Sequence, residues 1–483
     1  MQSLSIHKNL KDARILITND DGYESDGIKL LTEIIEPMVK EVWVIAPSKE
    51  RSGSGHSLTV RRNIDVIQRS DRKFSVDGTP TDCVILALNQ IMESTKPDLV
   101  LSGINRGVNI AEDITYSGTV GAAYEAAIAG GITSVFEMPN TNPPTSNKKE
   151  FQRKLDLAKN RMYCNYAFYF GATADNADDL ASLKDLEGCC GIKLFAGSST
   201  GNLLVAEEDD IDKVFQNASK VVAVHSEDEA ILKVNKKLIK QGDVHTHPVW
   251  RSAECAISST RRIVRIAEKY NKKAHVLHIT TKEEIDFLSQ HKGNITFEIT
   301  PQHLTLYAPD CYDKLGTYAQ MNPPLRDKSH YDRLWYAVRN NFNDTIGSDH
   351  APHLKINKDK EYPNTPSGMP GVQTLMPVML NHVNEGKLSL TQLINLVCEN
   401  PVKIFGIQSK GFIKEGYDAD FTIVDMNKTI EIKNENIESK CKWSPFNGFK
   451  FKGTPTHTII AGKIKMQDGK ILGDPDGTPL QFS

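Results

Sequence analysis

Short apolar runs that end in polar residues and pass directly into helical sequence recur along most of this chain. They are "ARILITNDDG", "EVWVIAP" and "PDLVLSGIN" in the first 105 residues. From residue 132 come "ITSVFEMPN", "NYAFYFGAT", "GIKLFAG", "VVAVHSE", "AHVLHIT", "ITFEITP" and "DTIGSDHAPH". A continuous apolar run suits a strand buried on both faces, with a helix carrying the chain back for the next parallel strand. The pattern therefore predicts α/β architecture twice over: a partial Rossmann-type parallel sheet, then a TIM-barrel-type (β/α) domain. In both, ligand sites lie at the carboxyl ends of the strands. The polar residues closing each run are thus the candidates for chemistry.

In the first group, Asp20, Asp21, Ser52 and Asn105 sit at or beside such ends. Two carboxylates, a hydroxyl and an amide oxygen form a hard-oxygen set suited to Mg²⁺, Mn²⁺ or Ca²⁺. Asp-Asp-Gly is also an ordinary turn sequence, and spacing alone leaves both readings open. In the second group, Lys193, His225, His278 and Asp349 close four different runs. Two neutral imidazoles, a carboxylate and a lysine converging from separate strands suit a divalent transition metal such as zinc. A lysine there is expensive to bury as a cation, whereas a carbamate on it would be an anionic bridge. Each histidine taken singly fits a satisfied core residue; the four together favour the metal.

Composition narrows the partners. With 25% charged residues and a formal net charge of −3, nothing suggests a nucleic-acid or anionic-membrane surface. No run of about 18 apolar residues occurs, and "MQSLSIHKNLKDAR" lacks a signal-peptide apolar region. The eight cysteines include no CxxC pair and look like reduced thiols. The expectation is a cytoplasmic enzyme acting on a small molecule, with homo-oligomerisation left open.

Two resemblances add to this. "ILITNDDGYESDGI", "VIAPSKERSGSGHSLT", "VDGTPTDCV", "LSGINRG" and "EDITYSGTVGAA" resemble the N-terminal half of survival protein E (SurE), a family of metal-dependent 5′/3′-nucleotidases. The resemblance implies Mg²⁺ or Mn²⁺ held by Asp20, Asp21, Ser52 and Asn105, with Ser117, Gly118 and Thr119 near the phosphate at a helix N-terminus. The family's second half does not follow here. "GGITSVFEMPNTNPPT", "GIKLFAGSSTGNLL", "VHSEDE", "HVLHIT", "MNPPLR", "GSDHAPH" and "SGMPGVQTLMPVML" resemble dihydroorotase, of the amidohydrolase superfamily. This implies a carboxylated Lys193, zinc held with His225, His278 and Asp349, and Asp349 as the proton shuttle. It also implies that Asn140, Asn322 and His353 bind the substrate's carboxylate and ring amide. "GYDADFTIVDM" would begin a small C-terminal β domain.

One part of the second family's pattern is missing. Its first barrel strand carries a His-x-His pair, and "LVLSGINRGVNIAED" at that place has no histidine. "HTHP" at His245–Pro248 has the right letters but lies between helical stretches, and is expected to be an ordinary loop. The expected domains are 1–124, 125–405 and 406–483, with the seam inside an Ala-rich helix that carries an apolar stripe at Val120, Tyr124 and Ile128. The strand at 97–105 could serve either the first sheet or the barrel's missing first strand. Three functions follow: a cyclic amidohydrolase fused to a nucleotidase region, a nucleotidase alone, or an inactive fusion lacking the His-x-His motif.

Overall fold

The computed structural model describes residues 10–19, 21–50, 59, 63–92, 95–102, 118–198 and 203–483, apart from the side chains of 10 and 118–122. The chain divides into two compact units, Met1–Ser117 and Gly118–Ser483.

The first unit holds strands β1 (Arg14–Thr18), β2 (Glu41–Pro47), β3 (Val66–Ser70), β4 (Lys73–Val76) and β5 (Leu99–Ser102), in the order β3-β4-β2-β1-β5. β1 runs parallel to both β2 and β5, and β2 parallel to β4. β3 and β4 form an antiparallel hairpin, turned at Arg72 with φ 56°, that the apolar-run pattern does not reveal. One face packs Ile15, Ile17, Val42 and Val44 against Ile28 of the helix Asp26–Ile35. The other packs Leu16, Ile45 and Val76 against Cys83 of the helix Pro80–Leu86. That helix starts where its sequence says it should: Thr79 and Asp82 accept each other's backbone N–H in a capping box.

β5 settles one question and corrects one expectation. It pairs with β1 from Ile15↔Leu99 to Thr18↔Ser102, so the first sheet holds this strand. Its apolar sequence predicts a buried strand, yet Leu99 is 52% and Val100 40% exposed. The reason is position: among the described residues β5 is the edge of its sheet, and a run read as buried lies at the rim.

The second unit opens with the helix Gly118–Ala129, which belongs to it whole, burying Tyr124, Ala126, Ala127 and Ile128 in the main core. Seven parallel strands follow: β6 (Ser134–Glu137), β7 (Asn165–Gly171), β8 (Cys189–Phe195), β9 (Val222–His225), β10 (Ala274–Val276), β11 (Ile295–Ile299) and β12 (Thr345–Ile346). They lie in strict sequence order from β6 to β12, and among the described residues these two ends do not pair. The result is an open arc, a half-barrel. β7 and β8 are buried at every position, as continuous apolar runs between helix layers require.

Because side chains alternate along a strand, the arc has two faces. Tyr166, Phe168, Phe170, Ile192, Leu194, Val222, Val224 and Val276 face the helices. Ala167, Tyr169, Ala223 and Leu277 turn inward, where Phe405 and Leu480 meet them. The same alternation puts Lys193, His225, His275 and Glu298 on the inner face.

After Gly406 the chain forms an antiparallel sheet of β13 (Phe421–Glu431), β14 (Lys450–Ile460), β15 (Lys463–Gln467) and β16 (Lys470–Ile471). Its last residues return to the arc: Tyr166 N donates to Thr478 O at 3.1 Å, and Leu480 N to Tyr166 O at 2.8 Å. Among the described residues no helix is long and apolar enough to cross a membrane.

Candidate functional site

In the first unit, the loop after β1 is braced by Asn19, whose Nδ2 donates to Gly22 O at 3.0 Å and Ser25 Oγ at 2.7 Å. Gly22, at φ 96°, lets the backbone pass close to Lys49, and Tyr23 N donates to Pro47 O at the end of β2 at 2.7 Å. Asp21 therefore sits at the carboxyl end of the sheet. Asp20, Ser52, Asn105 and Ser117 lie outside the described residues. Gly118 and Thr119 open the first helix of the second unit, and their side chains also lie outside the description.

In the second unit the chemistry gathers at the carboxyl end of the arc. His225 closes β9, fully buried, with Nε2 2.9 Å from Glu227 Oε2 and Nδ1 3.1 Å from His278 Nε2. Glu227 is itself gripped by the Arg251 guanidinium. Burial opposes ionisation of Glu227, but Arg251 and His225 outweigh it and hold the carboxyl at about 2. An ionised Glu227 accepts the Nε2–H of His225, which leaves Nδ1 as an acceptor for the Nε2–H of His278. Burial holds both imidazoles below the ordinary histidine range, so both are neutral near pH 7.

Lys193 lies on β8, 2% exposed, its Nζ 3.3 Å from Leu194 O and 4.1 Å from the centre of the Phe195 ring. Burial pulls its amine down to about 7, against the pull of Asp349 and Glu298. Asp349 keeps partial solvent access but lies deep among protein atoms, which push its carboxyl up to about 7, with Glu298 adding to the rise. Gly347 makes room here: a Cβ at that position would run into the Glu298 carboxylate. Both His278 and Asp349 adopt φ 39°, a left-handed backbone rare for non-glycine residues and found preferentially at functional positions.

Around this core, His350 Nδ1 accepts N–H bonds from Gly371 at 3.0 Å and Val372 at 3.3 Å, tying the "SGMPGVQT" loop to the end of β12. Asn322 follows Met321, with its Oδ1 3.1 Å from His247 Nε2. His353 Nε2 donates to Ser367 O at 3.0 Å, which leaves its Nδ1 as an acceptor. Asn140 is half-buried in the loop after β6.

Four residues here were not proposed for the site from sequence. Glu298 interrupts an apolar strand with a carboxylate, a signal of its own. Glu227 and Arg251 form an ion pair across 24 positions and carry no local signature. The fourth is His247 in "HTHP". That segment is two short helical turns, not the ordinary loop expected, because Thr246 and Pro248 favour helix entry. His245 is exposed and pairs with Asp313 at 3.2 Å, while His247 is fully buried.

The chain fits a divalent transition cation as far as two ligands. Two opposed neutral nitrogens 3.1 Å apart match the separation of neighbouring ligands on one zinc-sized ion. Among the described residues no group of three or more His, Cys, Asp or Glu converges closely enough to hold a metal. Among the described residues no strand stands between β12 and β6.

Comparison with known proteins agrees with this architecture. Residues 15–175 match the family described as survival protein SurE, and residues 102–465 match the amidohydrolase family. A dihydroorotase of Methanosphaera stadtmanae is 32% identical over 386 residues, 78% of this chain and 87% of that protein. A dihydroorotase of Methanothermobacter thermautotrophicus is 30% identical over 427 residues, covering 84% and 94%. Among solved structures, the L-hydantoinase (dihydropyrimidinase) of Arthrobacter aurescens superposes with a TM-score of 0.73 at 26% identity, covering 80% of this chain and 92% of that one.

Proposed function

The chain belongs to the amidohydrolase family and carries a SurE segment ahead of it, and from that premise we propose that its second unit is a metal-dependent cyclic amidohydrolase of the dihydroorotase type. The observation that carries this reading is the pair of opposed imidazole nitrogens, 3.1 Å apart, on the strand ends that also present Lys193 and Asp349.

His225 Nδ1 and His278 Nε2 would hold the cation, joined by Asp349 and by Lys193 once carboxylated. Lys193 is suited to that modification: near neutral pH a large part of it is the uncharged amine, which can add to CO₂ with release of a proton. A bound divalent cation supplies Lewis acidity at the scissile amide. Asp349 moves the proton. With a carboxyl near 7 it can take a proton from the attacking water and give it to the leaving amide nitrogen at neutral pH. Asn322 and Asn140 bind the substrate's carboxylate and ring, and the Nδ1 of His353 accepts from a ring N–H. Zinc is the cation these ligands favour, and dihydroorotate, closed from N-carbamoyl-aspartate in pyrimidine synthesis, is the substrate.

The SurE segment supports a second activity, release of phosphate from nucleoside monophosphates with Mg²⁺ or Mn²⁺, favoured by the placement of Asp21 at the end of β1. One preparation tests both. Ring opening of dihydroorotate is measured with Zn²⁺, and phosphate release with Mn²⁺. Asp349→Ala should abolish only the first and Asp20→Ala only the second. If the unaltered chain does no better than either variant in both assays, it is an inactive fusion.

A further inference from the structure

His247 has no place in the chemistry above, yet it is among the most buried polar residues of the second unit. Its Nε2 lies 3.0 Å from Met321 O and 3.1 Å from Asn322 Oδ1. A main-chain carbonyl can only accept, so Nε2 must carry the proton. The Asn322 atom facing that N–H is therefore its oxygen, and the amide cannot be turned the other way without opposing two donors. His247 Nδ1 has no partner among the described residues, which agrees with a neutral ring protonated at Nε2. Burial, with the Arg251 charge nearby, keeps the ring neutral by drawing it down to about 3.

The consequence falls on Asn322. Its Oδ1 is occupied, it is only partly buried, and among the described residues its Nδ2 has no acceptor. The segment is also fixed from the other side: Lys358 Nζ donates to Gln320 O at 3.2 Å, and Gly368 N to the same oxygen at 2.9 Å. We propose that His247 is a positioning residue that turns the Asn322 amide so that its two N–H donors face the substrate, making the site selective for cyclic amides bearing a carboxylate. This rests on the amidohydrolase reading, and on Asn322 lining the substrate pocket.

The test uses the full chain and two probes, dihydroorotate and dihydrouracil, the same ring without the carboxylate. Calorimetric titration of the zinc-loaded protein should show a preference for dihydroorotate. His247→Phe keeps the bulk but removes the donor. It should weaken dihydroorotate binding about tenfold and leave dihydrouracil unchanged, collapsing the preference. His247→Gln, whose amide nitrogen can stand in for Nε2–H, should restore most of it. In turnover, the Phe variant should raise KM for dihydroorotate with little change in kcat. Should His247→Phe fail to fold, His247→Asn, too short to reach Asn322, carries the same readout. Equal losses for both probes, or none, overturn the inference and leave the amidohydrolase reading standing. Failure of the unaltered protein to bind either probe overturns both.

Discussion

Both units build a parallel sheet from apolar runs, but the central strands of one and the edge strand of the other are covered differently. In the second unit β7 and β8 have helices on one face and the arc's interior on the other, and no residue of either is exposed. In the first unit β5 has an equally apolar sequence and stands at the rim with Leu99 and Val100 largely in solvent. The chemistry follows suit. The arc's strand-end residues are locked by neighbours, His225 by Glu227 and Glu227 by Arg251. A parallel strand is stable where something covers both its faces; a sheet that stops early leaves a buried-type strand uncovered.

If each unit holds its own centre, Asp349→Ala should lower dihydroorotate ring opening by roughly 10²–10⁴-fold while phosphate release is unchanged. Loss of both activities would merge the two centres into one.

Acid should separate the units next. Burial draws His303, His350 and His382 down to about 4. An unfolded chain would protonate these histidines near pH 6.5, so their contribution is fully present above 6.5. It falls away as pH drops from 6.5 towards 4. The second unit should lose on the order of 5 kcal/mol or more over that window. The first unit carries two of the chain's 14 histidines, His7 and His56, and should change less. Calorimetric scans across this range would show two transitions diverging; parallel movement would refute independent unfolding.

A smaller effect tests the same independence at neutral pH. Phe168→Ala empties a fully buried site in the arc and should destabilise only the second transition, by about 3–5 kcal/mol. The smallest effect is expected at the rim. Val100→Thr should alter stability within about 0.5 kcal/mol, yet reduce self-association measured by light scattering. A large stability loss would mean that β5 is covered after all.

Much of this was legible beforehand. The arc's strands announced themselves because a strand buried on both faces must be apolar throughout, and Lys193, His225 and Asp349 stood out as the polar ends of those runs. Glu227 with Arg251 was not legible, because an ion pair formed by folding leaves no periodicity. The β3–β4 hairpin was hidden by its polar, solvent-facing β3, whose every residue is exposed. The "HTHP" segment was expected to be a loop because helical turns this short show no helical period. Edge or centre, for β5, depends on what lies beside it, which no strand's own sequence records.

The left-handed backbone at His278 and Asp349 carries a consequence for anyone who would improve this molecule. At φ 39° glycine would sit more comfortably than either native residue, relieving roughly 1–3 kcal/mol at each position. A selection for heat tolerance alone would drift both positions towards glycine. On the amidohydrolase reading proposed above, the survivors would be sturdier and inert.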